Sequence, residues 1–387
     1  MFIQRDIEEK LKYLITKFPV VALTGSRQSG KSTLLKNTFP SYRYLTLEDL
    51  DLRQQAKDDP RGFLQNFGKQ IIIDEAQHVP QLFSYIQTAV DAENEAGMYI
   101  LSGSQNFLLI ESITQSLAGR VALLKLGTFS ISEMTKAGKL PGNLNEWLYT
   151  GGYPRIYDME IRPADFYPNF IQTYIQRDVR LLKNITDIGR FNRFLKLCAA
   201  RTGQLLNVAS LASEAEITVP TVNSWLSILE ASYIVFLLRP YHQNFNKRLV
   251  KSPKLYFHDT GLVASLLGLT SSDQLSIHYL RGELFENMVV SEFVKSGFSN
   301  GKDTELYFWR DSNQNEVDLL LEDGPNLKAI EIKSSATINN AFLKGLKQFQ
   351  SYSGLPSNCL TVAYGGEFDY QTDNGSFVSW KNITKLL

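Results

Sequence analysis

The residues best suited to chemistry begin at Gly25. Gly25-Ser26-Arg27-Gln28-Ser29-Gly30-Lys31-Ser32, followed by Thr33, matches the phosphate-binding pattern G-x-x-x-x-G-K-[ST]. Glycines accept positive φ and let successive backbone N–H groups close around phosphates. Lys31 is placed to reach the β- and γ-phosphates, and Ser32 to ligate Mg²⁺ through its hydroxyl. ATP and Mg²⁺ are the expected cofactors, with Gly25 to Thr33 lining the phosphates.

Further along, Gln70-Ile71-Ile72-Ile73 ends in Asp74 and Glu75. Carboxylates that close an apolar strand of a parallel sheet face the nucleotide crevice. Asp74 is expected to support the metal and Glu75 to act as the base that orients the attacking water. Met98-Tyr99-Ile100-Leu101-Ser102-Gly103-Ser104 is another buried strand with small polar residues at its end. Ser104, ahead of Ser102, is either a γ-phosphate sensor or ordinary turn chemistry. Arg120 precedes the strand Val121–Leu126. It is read as an arginine finger acting on a neighbouring subunit, the alternative being a surface ion pair.

A second constellation lies near the C-terminus. Glu316-Val317-Asp318-Leu319-Leu320-Leu321 and Leu327-Lys328-Ala329-Ile330-Glu331-Ile332-Lys333 flank the turn Gly324-Pro325-Asn326. Side chains alternate along a strand, so Glu331 and Lys333 share a face, and Asp318 opposes them across the hairpin. Two carboxylates and a lysine at one sheet end suit Mg²⁺-dependent phosphodiester cleavage. Asp318 and Glu331 are the metal candidates and Lys333 the charge stabiliser.

These residues need particular elements beneath them. Phe18-Pro19-Val20-Val21-Ala22-Leu23 reads as a buried strand feeding the phosphate loop, and Leu34-Leu35-Lys36 as the helix after it. Residues 6–17 have helical apolar spacing, Tyr42–Leu47 alternates like a strand, and Phe83–Ala92 and residues 106–118 read as helices.

Residues 1–135 resemble the AAA+ branch of P-loop ATPases through Gly25–Ser32, Ile71–Glu75, Tyr99–Gln105 and Leu117–Arg120. Nearly the whole chain is similar to a prokaryotic group of AAA-type ATPases that carry a C-terminal domain of unknown function. Gly151-Gly152-Tyr153-Pro154, Tyr174-Ile175-Gln176-Arg177-Asp178 and Pro253–Gly261 belong to that likeness, while Gly127-Thr128-Phe129-Ser130 departs from it. The C-terminal part resembles the PD-(D/E)XK nuclease superfamily. In that resemblance Asp318 is the first acid, Glu331 and Lys333 are the E-x-K, and Glu286 is the helix acid and a further metal ligand. Gln348-Phe349-Gln350-Ser351-Tyr352 matches the Q-x-x-x-Y of its exonuclease-like branch. The alternatives are an ATP-switched assembly whose inactive nuclease-like scaffold only binds, and a regulator whose winged helix holds DNA, because fold alone does not establish function.

The expected architecture is α/β: an AAA+ type P-loop domain with a parallel sheet (1–135), a helical lid (136–187), a winged-helix-like module (188–260) and a restriction-endonuclease-like α/β domain (261–387). Arg177 and Arg180 in the lid are read as ion-pairing residues, with nucleotide sensing as the alternative. Val208–Ala215 and Pro220–Glu230 read as a helix-turn-helix, with Tyr233–Leu238 and Lys254–Phe257 as wing strands. The second helix carries no Lys or Arg, so DNA contact falls on Arg239, Lys247, Arg248 and Lys251, with Tyr241 and Phe245 among them. Packing or oligomerisation is the rival role for this module.

Bulk numbers set the outer limits. In 387 residues, 40 Lys and Arg balance 40 Asp and Glu, so overall charge points neither to nucleic acid nor to a membrane surface. Cys198 and Cys359 are far apart and imply neither a disulfide framework nor a metal knuckle. The opening residues lack the apolar core of a signal peptide, and no apolar run spans a bilayer. A cytoplasmic homo-oligomer with ATP, and with DNA as a further partner, is the expectation.

Overall fold

The computed structural model describes residues 2–104, 109, 113, 115–179, 187–241, 250–302 and 304–386, the side chains of 176–179 excepted. The chain divides into two compact units. One comprises residues 1–129, 231–233 and 297–302, and the other the remainder.

The first unit is built on strands β1 (Val20–Gly25), β2 (Arg43–Thr46), β3 (Ile71–Asp74), β4 (Tyr99–Gly103) and β5 (Val121–Leu126). They form one sheet in the order β2-β3-β4-β1-β5, with every neighbouring pair parallel. Helices α1 (Glu8–Ile15), α2 (Lys31–Thr38), α3 (Leu50–Asp58), α4 (Pro60–Phe67) and α5 (Leu82–Glu93) accompany them. Because side chains alternate along a strand, Ile71 and Ile73 enter one core with Phe63 and Phe83, while Ile72 enters another with Leu34 and Leu35. Burial on both faces explains why β1, β3 and β4 read as continuous apolar runs.

The strand order positions the chemistry. β4 lies between β1 and β3, so the end of β4 falls between the phosphate loop and Asp74. Gly25 is irreplaceable on steric grounds, since a Cβ there would stand 2.1 Å from the Leu126 carbonyl oxygen.

The second unit opens with helices Ile131–Lys136, Leu144–Thr150 and Pro163–Phe170, the last running into a π-helical stretch, Ile171–Val179. Helices Ile188–Ala199, Val208–Ala215 and Val219–Ala231 follow, then the antiparallel strands β6 (Val235–Pro240) and β7 (Lys254–Phe257). Strands thus form close to the two expected stretches, the first displaced by two residues.

β6 also pairs in parallel with β8 (Glu305–Arg310), which joins the hairpin to the C-terminal sheet. That sheet continues through β9 (Glu316–Asp323), β10 (Asn326–Lys333), β11 (Leu360–Tyr364), β12 (Tyr370–Thr372) and β13 (Gly375–Ser379), in the order β12-β13-β11-β10-β9-β8-β6-β7. β8, β9 and β10 meander antiparallel, and the helix Lys344–Ser353 makes the crossover to parallel β11. The long helix Arg281–Asn300 precedes β8.

Two sequence phrases acquire a structural reason here. Asp259 caps the helix Thr260–Leu266 through Leu262 N–H and accepts from Gly152 N–H at 2.8 Å and the Tyr167 hydroxyl at 2.7 Å. A Cβ at Gly261 would lie 2.2 Å from the same hydroxyl. Gly151-Gly152-Tyr153-Pro154 and His258-Asp259-Thr260-Gly261 are therefore two halves of one buried joint.

Candidate functional site

At the C-terminal edge of the first sheet, β1 runs into the loop before α2. Gly30 sits at φ 90° and Gln28 at φ 63°, the left-handed backbone that turns N–H groups inward. The Lys31 ammonium is buried and donates to the carbonyls of Gly25 at 3.0 Å and Ser26 at 2.9 Å. Burial lowers its pKa, while Glu75 and Asp74 pull in the opposite direction. The hydroxyls of Ser26 and Ser29 are buried without a partner among the described residues. Orphaned donors inside a ring of N–H groups fit phosphate oxygens.

Asp74 collects hydroxyls. Ser32 donates to Oδ2 at 2.6 Å, Ser102 to Oδ1 at 2.5 Å, and the Tyr44 hydroxyl to Oδ2. A hydroxyl against a carboxylate is the hard-oxygen donor set that suits Mg²⁺. Glu75 adopts φ 53°, and its Oε2 accepts from Ser104 Oγ at 3.0 Å and from the Gln77 carboxamide. Ser104 is thus a partner of Glu75 in this structure. Arg27 is 3.8 Å from Glu48, and Thr33 begins the first turn of α2 with Lys31 and Ser32.

Arg120 lies just before β5, at the sheet edge opposite the loop. It forms a two-pronged pair with Asp91, at 2.5 and 2.9 Å.

The second constellation sits on β9, β10 and β7. Pairing of Leu319 with Ile330 sets Asp318 beside Glu331, and Asp318 Oδ2 accepts the Ile332 N–H at 2.8 Å. Lys333 Nζ lies 2.6 Å from Glu331 and 3.5 Å from Asp318. Glu331 Oε2 is buried with no partner among the described residues. Glu286 is turned elsewhere: Lys254 donates to it at 2.8 Å and the Tyr256 hydroxyl at 2.5 Å. Lys254 also lies 2.5 Å from Glu316, which Arg310 approaches at 3.1 Å. Among the described residues, no three His, Cys, Asp or Glu side chains are gathered as a metal site. Asp318 and Glu331 share Lys333, and Glu286 joins the cluster through Lys254. Gln348 and Tyr352 of the Q-x-x-x-Y are hydrogen-bonded to one another at 2.5 Å.

A family model described as an AAA domain matches residues 17–135. Models described as domains of unknown function, DUF8612 and DUF4143, match residues 141–273 and 281–383. The uncharacterized protein Rv2008c of Mycobacterium tuberculosis is 30% identical over 373 residues, covering 94% of this chain and 80% of that protein. Mb2031c of Mycobacterium bovis matches to the same extent. The chain belongs to their family, an AAA-type ATPase family. Among solved structures, the Walker-type ATPase PABY2304 of Pyrococcus abyssi aligns with 16% identity and a TM-score of 0.45, over 68% of this chain and 96% of that one. The RuvB Holliday junction branch migration motor of Thermotoga maritima aligns with 16% identity and a TM-score of 0.32, over 61% and 89%.

Several residues of the ATPase site carried no sequence signal. Arg5 is buried and donates to Ser29 O and Gly127 O, both at 2.8 Å, which pins the phosphate loop. Tyr44 reaches the site because β2 flanks β3, and Gln77 because the turn Ala76–His78 directly follows Glu75. Lys254 joins the C-terminal cluster through a strand pairing that spacing does not reveal. Arg180, Phe245, Lys247 and Arg248 lie outside the described residues, as does the side chain of Arg177. No helix among the described residues is long and apolar enough to cross a membrane.

The acidic cluster gives the ATPase a pH signature. Burial, with Asp318 adding to it, raises Glu331 to about 8 against the opposing pull of Lys333. Burial raises Glu286 to about 7, with Lys254 opposing. A carboxyl held above its unfolded value keeps its proton in the native state after the unfolded chain has lost its own. Stability present below the unfolded pKa, near 4.5, is therefore lost as pH rises through the folded one. The urea midpoint of tryptophan fluorescence is expected to fall between roughly pH 5 and pH 8, and Glu331→Gln to flatten the fall. A midpoint that climbs across this range contradicts the assignment.

Proposed function

We propose that the protein hydrolyses ATP with Mg²⁺ in an assembly of its own copies, and couples that cycle to a nuclease-like C-terminal domain acting on DNA. Lys31 and the loop N–H groups bind phosphates, Ser32 and Asp74 would hold Mg²⁺, and Glu75 orients the attacking water. The metal supplies neutralisation of phosphate charge. Arg120 supports the assembly reading by its place. It lies at the far end of β5 from the loop, since Gly25 pairs with Leu126 at the other end, so it can serve only a neighbour's site. Its bond to Asp91 would open for that contact.

The observation that carries the C-terminal reading is the buried Oε2 of Glu331, unpartnered among the described residues, beside Asp318 and Lys333. A carboxylate oxygen is not left bare in a protein interior without cost. Asp318 and Glu331 would hold a divalent cation, whose chemistry there is Lewis acidity toward the scissile phosphate. Lys333 would stabilise charge on that phosphate. The helices Ile188–Ala199, Val208–Ala215 and Val219–Ala231 with the β6–β7 hairpin support a winged-helix module. Its last helix has no Lys or Arg, which assigns backbone contact to Arg239 and Lys251 at the hairpin.

The test is incubation of the full chain with single- and double-stranded DNA, with Mg²⁺ or Mn²⁺, with and without ATP. Cleavage is expected, lost in Lys333→Ala and Asp318→Ala and altered in Glu75→Gln. No cleavage under any condition, with ATP hydrolysis intact, overturns the nuclease part. What stands then is an ATP-switched assembly that binds through an inactive scaffold.

A further inference from the structure

Gln77 lies two residues beyond Glu75, in the short 3₁₀ turn Ala76–His78, and is buried. Its carboxamide nitrogen donates to Glu75 Oε2, the same oxygen that Ser104 Oγ contacts at 3.0 Å. A carboxylate offers only lone pairs, so the amide must present its N–H₂ to Glu75 and its oxygen the other way. That oxygen, Oε1, is buried without a partner among the described residues. It lies against the backbone of Gly103, where a Cβ would stand only 2.2 Å from it. Gly103 has no positive φ to require a glycine. What it provides is the space in which the Gln77 carboxamide lies.

A glutamine kept only for packing would not carry a bare buried carbonyl, because an apolar side chain of the same size avoids that cost. The arrangement has a use if Glu75 must be aimed. Its backbone is already in the left-handed region. Three donors then converge on Oε2, the Gln77 carboxamide, the Ser104 hydroxyl and, at 3.4 Å, the Ser104 N–H, and none of these hydrogen bonds engages Oε1. We propose that Gln77 is a positioning residue of the ATPase, which holds one oxygen of Glu75 so that the other faces the attacking water, and that Gly103 exists to admit its carboxamide. The inference rests on the reading of Glu75 as the water-orienting base.

Gln77→Ala, the volume-conserving Gln77→Met, Gly103→Ala and the double variant Gln77→Ala/Gly103→Ala test it, beside Glu75→Gln. Phosphate release gives kcat and KM, calorimetry gives ATP affinity, and thermal unfolding checks the fold. Gln77→Ala and Gln77→Met are each expected to lower kcat by about 10²-fold, with ATP affinity unchanged within about twofold. Gly103→Ala is expected to do the same by displacing the carboxamide. The double variant is expected to be no slower than Gln77→Ala, since without the carboxamide the added methyl has room. A purely structural glutamine would not produce that non-additivity or a loss confined to kcat. A wild-type kcat in folded Gln77→Met, or Gly103→Ala equally harmful in both backgrounds, overturns the inference while Glu75→Gln stays inactive. Full turnover in Glu75→Gln overturns the reading of Glu75 and this inference with it.

Discussion

Glu75→Gln is expected to lower ATP turnover by about 10²–10⁴-fold, the usual contribution of a placed general base. The substitution keeps the side chain's length and an oxygen that can still accept from Ser104 and Gln77. Lys31, Ser32 and Asp74 are untouched, so nucleotide binding with Mg²⁺ is expected to persist and the variant to accumulate in the bound form. Lys31→Ala is the opposite case. It removes the ammonium that the loop carbonyls now hold at 2.9–3.0 Å, and with it the affinity for triphosphate. Phosphate release measured beside calorimetric titration with MgATP separates the two. A Glu75→Gln protein within about tenfold of wild-type turnover would move the base elsewhere in the site.

Why some of this site is legible in the sequence and some is not follows from how far apart its members lie along the chain. The phosphate loop is one unbroken run, and Asp74-Glu75 ends an unbroken apolar strand, so residue type and spacing suffice. Ser102, Ser104 and Tyr44 depend on strand order. Spacing shows that each lies on or beside a strand, but only the insertion of β4 between β1 and β3 brings Ser102 to Asp74 and Ser104 to Glu75. Arg5 is a lone arginine in a region whose pattern announces a helix, and nothing marks it as the clamp on Ser29. In the C-terminal unit, alternation and a Gly-Pro turn fix the β9–β10 hairpin and its facing acids. The parallel pairing of β6 with β8 is non-local, and it is what carries β7 and Lys254 to Glu286 and Glu316. A lysine in a Pro-Lys-Leu-Tyr-Phe run looks like an edge-strand charge until that pairing is known.

Lys254→Met is expected to destabilise the second unit by about 3–5 kcal/mol, the usual result of removing one partner from a buried charge pair. The ammonium is almost wholly enclosed, at 4% side-chain exposure, and lies 2.8 Å from Glu286 and 2.5 Å from Glu316. Burial works against its charge, yet Glu286, Asp318 and Glu316 together hold its pKa above the ordinary lysine value. Without it, among the described residues Glu286 keeps the Tyr256 hydroxyl and Glu316 keeps Arg310, while Asp318 repels the charge of Glu286 and Glu316 that of Glu331. Trp147, Trp225, Trp309 and Trp380, the four tryptophans of the chain, all belong to this unit, so urea unfolding followed by tryptophan fluorescence reads its stability directly. Adding Glu286→Gln and Glu316→Gln to Lys254→Met is expected to recover much of the loss, because a neutral set leaves no stranded charge. A Lys254→Met midpoint equal to wild type would mean that the acids take up protons at little cost. The same measurement repeated at about pH 5 would then show no gap between the two proteins, whereas a charge-pair origin predicts a gap that widens as pH rises and the carboxyls lose their protons.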